Sequence, residues 1–155
     1  MTKNPLIICF FLLAFFLVIS SCSDDQCNLD TDTILNTEIL VKDATLVSSK
    51  FLDSLSIYSP EWTDSIHNSG SSSVNYYLFL SPFSDTSTFI LTSQSMLDTV
   101  NLFYKRKLVL LSQECGFVTH FTIDSFNFTT NNIDSIFILE DEITTDNDGH
   151  IQIYF

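Results

Sequence analysis

The sequence predicts an all-β protein, an antiparallel β-sandwich of about seven to nine strands with an immunoglobulin-like arrangement. Phe, Ile, Thr and Ser are abundant, whereas Ala, Glu and Lys, which favour helices, are scarce. Apolar and polar residues alternate in many short segments, as they do in strands with one buried face. Turn-forming Asp, Asn and Ser residues separate these segments, and no segment has the period of an amphipathic helix. A small closed β-barrel is the alternative fold.

Alternation places the strands of the first half of the chain. The first is expected from Glu38 to Ala44 and the second from Phe51 to Tyr58. A long loop over residues 59–73 follows, because this stretch contains Pro, Gly and a Ser run. Val74 to Leu80 is apolar on both faces and is therefore predicted to be a central strand. Thr88 to Thr92 gives the next strand, after a turn.

The middle of the chain contains two adjoining apolar segments, Asp98 to Lys105 and Lys107 to Gln113. They form either a long hairpin or one bent strand. The basic trio Lys105-Arg106-Lys107 lies at their junction and suits a solvated turn. Phe117 to Thr129 is a further strand, although its alternation is imperfect.

The C-terminal segments predict the clearest hairpin. Residues 133–143 and 150–155 are joined by a turn that contains Asp148-Gly149, a pair that tolerates the required backbone geometry. In the last strand Ile151 and its alternate neighbours are expected to point inward, which would place His150 outward.

The N-terminal segment predicts export and lipid anchorage. Lys3 precedes an apolar run from Leu6 to Ile19 that is short for a transmembrane helix and typical of a signal peptide. Ser20-Ser21-Cys22 resembles a lipobox, which implies that residues 1–21 are removed and that Cys22 is acylated. The alternatives are an uncleaved signal anchor and a secretory signal that is cut elsewhere.

The residues after Cys22 predict a location and a domain organisation. Ser23-Asp24-Asp25 resembles the signal that sends Bacteroidota lipoproteins to the exterior of the outer membrane, and the periplasmic face is the alternative. Residues 22–37 are polar and acidic and are interpreted as a tether, followed by a single β domain over residues 38–155.

The cysteines predict a disulfide. Cys9 is expected to leave with the signal peptide, and Cys22 carries the lipid. Cys27 and Cys115 remain, and an even number in an oxidising compartment indicates a disulfide between them. Two buried, unpaired thiols are the alternative.

The charge restricts the partners. With 6 basic and 19 acidic residues the chain has a net charge of −13, so it repels phosphate backbones and is not expected to bind nucleic acid. The expected partners are the membrane, through the lipid anchor, and an outer-membrane protein complex.

The sequence contains no complete motif for catalysis or for a cofactor. The acidic turn at residues 144–149 does not match a calcium loop, because Thr144 and Phe155 would occupy the first and last ligand positions. The three histidines His67, His120 and His150 lack metal-ligand spacing, and no G-x-S-x-G or glycine-rich phosphate loop is present. The sequence therefore predicts no cofactor, no metal site and no catalytic residue.

Two weaker patterns suggest functional residues. Tyr58, Glu61 and Trp62 could form a ligand-binding platform in the long loop, although Trp62 could equally fold back over the end of the sandwich. Asp followed by Ser or Thr and an aliphatic residue recurs along the chain and resembles the O-glycosylation site of Bacteroidota, with Thr33 and Ser65 as candidate acceptors. Alternating strands rich in Asp, Ser and Thr would also generate such triplets.

Several short motifs in a fixed order resemble a family of small Bacteroidota lipoproteins known only as a domain of unknown function. They are Cys27 soon after Cys22, Leu78 to Pro82, Asp98 to Tyr104, Ser112 to Phe117 with its S-x-x-C-G-F pattern, and the closing His150 to Phe155. The resemblance implies location and fold, because the family has no assigned activity. The favoured hypothesis is a non-enzymatic surface module of an outer-membrane complex. The alternatives are an enzyme acting on extracellular glycans or peptides and an integral outer-membrane β-barrel.

Overall fold

The computed structural model describes residues 27–155 except 44–45, 49–51, 53–54, 62–65, 69–73, 94–95 and 147. The predicted signal peptide, Cys22 and the acidic residues after it lie outside the described residues, as do Trp62 and Ser65. No helix that is long and apolar enough to span a membrane occurs in the part of the chain that is described.

The described residues form eleven strands and no helix. Several strands have only two to four residues, which is why they outnumber the seven to nine expected. They are β1 (Leu35–Asp43), β2 (Leu46–Ser48), β3 (Ser56–Tyr58), β4 (Ile66–Asn68), β5 (Asn75–Leu78), β6 (Thr86–Ser93), β7 (Met96–Ser112), β8 (Gly116–Phe128), β9 (Ser135–Ile138), β10 (Glu142–Ile143) and β11 (Ile151–Tyr154).

The strands form two sheets that pack as a sandwich. The first has the order β2-β1-β11-β9, with β5 also paired to β1, and the second has the order β10-β8-β7-β6-β3-β4. Buried residues of both sheets, among them Ile39, Ile153, Phe89 and Leu102, belong to one hydrophobic core. The predicted all-β sandwich is therefore confirmed. Among the described strands, β1 and β11 depart from the antiparallel arrangement, because they pair in parallel.

The first strand begins earlier than predicted. β1 starts at Leu35, which is fully buried, as is Thr37, although both lie in the stretch interpreted as tether. Alternating side chains of β1 enter the core because β1 has partners on both edges, β5 on one and β11 on the other.

Two predictions about the first half of the chain are wrong. The stretch predicted as a loop over residues 59–73 contains β4, which pairs with β3 at the edge of the second sheet. β5 is not central, since among the described strands it pairs with β1 alone. Its residues alternate in burial: Tyr76 and Leu78 are buried, whereas Tyr77 is half exposed. The apolar outer face of β5 therefore reflects exposed aromatic residues and not burial on both sides.

β7 is one strand of 17 residues, so the second of the two predicted alternatives is correct. The basic trio Lys105-Arg106-Lys107 lies within β7 and not at a turn. Its side chains are exposed on a strand that extends beyond the rest of its sheet, so no turn is needed to solvate them. The turn of the hairpin comes later, at residues 113–115.

The C-terminal hairpin forms in part. β9 pairs with β11 in an antiparallel register that matches Ile138 with Ile151, as predicted. The chain then leaves this sheet, and β10 pairs with β8 in the second sheet. The outward placement of His150 is wrong: its side chain is 1% exposed although Ile151 is also buried. His150 precedes β11, and its side chain turns towards β1, where Nδ1 lies 3.0 Å from the backbone nitrogen of Asn36.

Candidate functional site

An open groove of about 380 Å³ lies where the start of the described chain passes the β7–β8 hairpin. Three separate segments form it: the residues before β1, the residues after β5, and the turn and first half of β8. The lining residues are Thr31, Asp32, Thr33, Phe79, Leu80, Pro82, Cys115, Phe117, Val118, Thr119 and Phe121.

A disulfide closes one end of this groove. Cys27 and Cys115 are bonded, with their Cα atoms 4.7 Å apart and a sequence separation of 88, which confirms the predicted pair. Cys115 lies in the turn of the β7–β8 hairpin, where its backbone N–H donates to Ser112 Oγ at 3.0 Å. The bond therefore ties the N-terminal segment to the end of the longest hairpin.

Aromatic residues form the rim of the groove. Phe79 is 38% exposed and Phe117 is 63% exposed, so both present ring surface to solvent. Phe83 follows Pro82 in the turn after β5 and is 90% exposed. A cluster of exposed aromatic rings around a concavity is typical of a binding surface.

The strands beside the groove are fixed by polar contacts. Arg106 on β7 donates from Nε to Asp85 Oδ1 at 2.6 Å and from Nη1 to the Pro82 carbonyl at 2.7 Å. Beneath this contact Tyr104 Oη lies 2.8 Å from Ser87 Oγ and accepts from the Ser81 N–H at 3.1 Å. Burial raises the pKa of Tyr104, and the nearby Glu61 carboxylate acts in the same direction. The segment after β5 is thus held against β7 by both charge and hydrogen bonds.

The lining of the groove favours binding over acid–base chemistry. Asp32 is the one ionisable side chain among the described lining residues, and it is exposed. No group of His, Cys, Asp or Glu that could hold a metal ion occurs among the described residues. A volume above about 300 Å³ and walls that combine apolar rings with threonine hydroxyl groups and Asp32 match the general features of sites for small ligands or side chains that have both apolar and polar groups.

Of the functional residues predicted from the sequence, some line the groove and others lie elsewhere. Thr33 is half-buried and lines it. Tyr58 is half-buried on β3, and the exposed Glu61 follows it in a turn, so neither joins the groove. Their proposed partner Trp62, like Ser65 and Cys22, is outside the described residues.

Sequence reasoning missed an apolar group on the β7–β8 hairpin. Leu108 is 66% exposed, Leu110 is 55% exposed, and Leu110 pairs directly with Phe117. The signal was present, since two leucines at alternate positions after three basic residues imply one apolar face on an exposed strand. Its exposure could not be predicted, because alternation alone does not show where the opposite sheet ends.

A buried acidic residue was also missed, and its role is structural. Asp98 is 1% exposed and its carboxylate accepts hydrogen bonds from Thr129 Oγ1 and from the backbone N–H groups of Asn131 and Asn132. Burial raises the pKa of Asp98, but these hydrogen bonds outweigh it and leave the pKa below its usual value. Asp98 thus fixes the loop between β8 and β9 at the end of the sandwich opposite the hairpin turn.

Comparison with known proteins gives one match. The family described as "Family of unknown function (DUF6452)" matches residues 54–155. The match includes Cys115 and all strands from β3 onward, whereas Cys27, β1 and β2 precede it. No curated protein and no solved structure matches the chain.

Proposed function

The chain belongs to the DUF6452 family of unknown function, and we propose that it is a lipid-anchored, non-enzymatic binding module at the surface of the outer membrane. Membership confirms the sequence resemblance at the level of a family without an assigned activity. The lipid anchor, the outer-membrane location and the binding role are parts of this proposal.

The Cys27–Cys115 disulfide carries the proposal. Cys27 is five residues after Cys22, the proposed site of acylation. The disulfide joins this short segment to the hairpin turn, so the groove is held close to the attached lipid. A disulfide between these two cysteines also fits an exported protein, because such bonds persist in oxidising compartments.

The composition of the groove supports a binding role. Its walls combine Phe79, Phe117 and Phe121 with the hydroxyl groups of Thr31, Thr33 and Thr119, and they bring together no pair of carboxylates. A ligand with an apolar part would gain buried surface there, and the threonines would orient it by hydrogen bonds. An accessory role in an outer-membrane complex is consistent with such a groove beside the membrane.

Intact mass and fractionation test the anchor. The wild-type protein, extracted from native membranes, should have the mass of residues 22–155 plus diacylglycerol and an amide-linked acyl chain, and Cys22→Ala should be found unacylated and outside the membrane fraction. A soluble, unacylated wild-type protein would overturn the proposal. Additional mass that disappears in Thr33→Ala or Ser65→Ala would support the glycosylation hypothesis.

Accessibility and capture test the location and the binding role. A protease added to intact cells should cleave the anchored protein, because the proposal places it on the exterior. Partners captured from solubilised outer membranes should be lost with Thr33→Lys, since a lysine at this lining position would fill the groove with charge. Equal capture by the wild type and Thr33→Lys would argue against the groove as the binding site.

A further inference from the structure

The β7–β8 hairpin carries an apolar surface beyond the end of the sandwich. The inner face of the hairpin is covered past the buried pair Tyr104–Ile123 as far as Phe121, which is buried opposite Arg106. Continuing on the same face, the register places Leu108 beside Thr119 and Leu110 beside Phe117. This hairpin tip is defined here by three exposed residues: Leu108 (66% exposed), Leu110 (55%) and Phe117 (63%).

The tip lies close to the proposed lipid. Five residues from Cys22 to Cys27 span at most about 18 Å, even when fully extended. The Cα atoms of Cys27 and Cys115 are 4.7 Å apart, and Cys115 lies in the turn directly before the strand that begins at Gly116. The hairpin turn is therefore within roughly 23 Å of the acylated residue, about half the thickness of a bilayer with its headgroups.

Basic residues border the tip. Lys105, Arg106 and Lys107 are half of the 6 basic residues of the whole chain, and all three are exposed on β7. Lys105 pairs with Asp124 at 3.0 Å and Arg106 with Asp85 at 2.6 Å, whereas Lys107 has no ion pair with any residue that the structure describes. Glu114 is the single acid between residues 105 and 120. With these two ion pairs and Glu114 the tip is close to neutral within a strongly acidic protein, and Lys107 is left to contact anionic lipid headgroups.

We propose that the hairpin tip inserts Leu108, Leu110 and Phe117 into the bilayer that holds the lipid of Cys22, with the basic trio at the level of the lipid headgroups. This rests on the proposed lipid anchor, which supplies the proximity. Apolar side chains bordered by Lys and Arg are the combination that binds a membrane interface, because burial and attraction to anionic lipid act together. The sandwich would then stand on the membrane with the Asp98 loop at its far end.

Leu97 provides a matched control for Leu110. Both are leucines on β7, 53% and 55% exposed, but they lie at opposite ends of the strand. Thirteen residues separate them, about 43 Å at the rise of a β-strand. Only Leu110 should reach the membrane when the tip is inserted.

The test uses tryptophan fluorescence of the full acylated protein. Leu110→Trp and Leu97→Trp are each made in a Trp62→Phe background and reconstituted into vesicles of phosphatidylethanolamine and phosphatidylglycerol. A fraction of the acyl chains is brominated near the headgroup, so that only membrane-inserted indoles are quenched. Leu110→Trp should lose about half or more of its fluorescence and Leu97→Trp almost none, given insertion to the headgroup boundary.

Flotation of the vesicles separates the two proposals. Protein that floats with vesicles but shows no quenching at residue 110 would retain the anchor and overturn the insertion. Protein that does not float would overturn the anchor and the insertion together. A blue-shifted but unquenched Leu110→Trp would show that a second copy or another protein covers the tip, which also overturns insertion. Circular dichroism of both variants checks that the exposed substitutions leave the fold intact.

Discussion

The side chain of His150 accepts a hydrogen bond at Nδ1 from the backbone N–H of Asn36, 3.0 Å away. The backbone N–H of His150 in turn donates to the Asn36 carbonyl at 3.0 Å. His150 therefore extends the parallel pairing of β1 and β11 through two hydrogen bonds, one from its backbone and one to its side chain. The acceptor function of Nδ1 at this buried position requires that this nitrogen carry no proton. The side-chain bond from His150 to the N-terminal strand therefore exists only while the imidazole is neutral, whereas the backbone bond does not depend on its charge.

This relationship predicts a loss of stability in mild acid. Burial lowers the pKa of His150 below 6.5, although Asp148 and Glu140 oppose the shift. The unfolded chain binds a proton at about pH 6.5 and the folded chain only at lower pH, so protonation favours unfolding. The free energy of unfolding should fall as the pH drops below 6.5 towards the pKa of the folded state, as measured by denaturant titration across that range.

His150→Phe supplies the comparison. It removes the acceptor of the Asn36 N–H and should cost about 1–3 kcal/mol at pH 8, where His150 is neutral. It should also remove the part of the pH dependence that arises just below pH 6.5. An unchanged slope in His150→Phe would assign that dependence to other groups.

The Cys27–Cys115 disulfide is expected to make the largest single contribution to stability. It closes a loop with a sequence separation of 88 residues. Chain-entropy arguments give about 4–5 kcal/mol for a loop of this length, as an upper value. A Cys27→Ser/Cys115→Ser double variant should show this decrease in denaturant unfolding, and reducing agent should lower the stability of the wild type but not of the variant. Equal stabilities in the absence of reductant would contradict the expectation.

Asp98 should be the most sensitive acid among the described residues. Its carboxylate accepts four hydrogen bonds from Thr129, Asn131 and Asn132, two of them from Asn132. In Asp98→Asn one oxygen becomes a donor that faces other donors, so we expect a loss of about 2–3 kcal/mol. Asp134→Asn is the control, because Asp134 begins the same Asp-Ser/Thr-aliphatic pattern but is exposed.

The Asp98 carboxylate predicts a second pH dependence of the free energy of unfolding, at lower pH than that of His150. The pKa of Asp98 is lowered below 3.8, because the hydrogen bonds to its charged form outweigh its burial. The contribution of Asp98 to the free energy of unfolding is therefore complete above the pKa that this group has in the unfolded chain. It is lost as the pH falls through the pKa of the folded state. The stability difference between the wild type and Asp98→Asn should narrow below about pH 4. A constant difference down to pH 2 would show that charge plays no part.

The fold was predictable wherever apolar and polar residues alternate without interruption along a strand. The inward residues of β5 and β6 follow directly from the pattern, as does the pairing of β9 with β11. In β8 the set of inward-facing positions changes from odd to even residue numbers. Phe121 and Ile123 face the core before a bulge near Asp124, and Phe126 and Phe128 face it after the bulge. This one extra residue explains the imperfect alternation of the segment, which periodicity alone could not interpret.

The groove could not be predicted, except for its disulfide. Its walls come from residues 31–33, 79–82 and 115–121, and only the folded topology brings them together. The cysteines were the exception because their chemistry limits the possible partners once export is assumed. The hairpin tip was missed for a related reason: Leu108 and Leu110 have the pattern of core residues, but the facing sheet does not reach them.

Tyr104 should stabilise the wall of the groove through its hydroxyl group. Tyr104→Phe would remove the hydroxyl that contacts Ser87 Oγ, the Ser81 N–H and the Ser81 carbonyl, while the Ser81 N–H keeps its 3.2 Å bond to Ser87 Oγ, and the expected cost is about 1–2 kcal/mol. Tyr154→Phe is the matched control, because its hydroxyl bonds to the half-buried Gln152 alone among the described residues and should cost less than about 1 kcal/mol. Thermal unfolding of the two variants gives the comparison, and equal losses would contradict a role for burial.

Gly116 should be the glycine that the hairpin turn requires. It follows Cys115 directly and has a φ of 73°, a conformation that other residues adopt at a cost of about 1–2 kcal/mol. No atom lies within 4 Å of the position that a Cβ would take, so the expected penalty of Gly116→Ala arises from the backbone alone. Gly149→Ala isolates this effect, since Gly149 has equally open surroundings without a positive φ and should be nearly neutral. Equal unfolding midpoints for the two variants in denaturant would show that the turn relaxes to accept a side chain, and the disulfide at Cys115 would then be its main constraint.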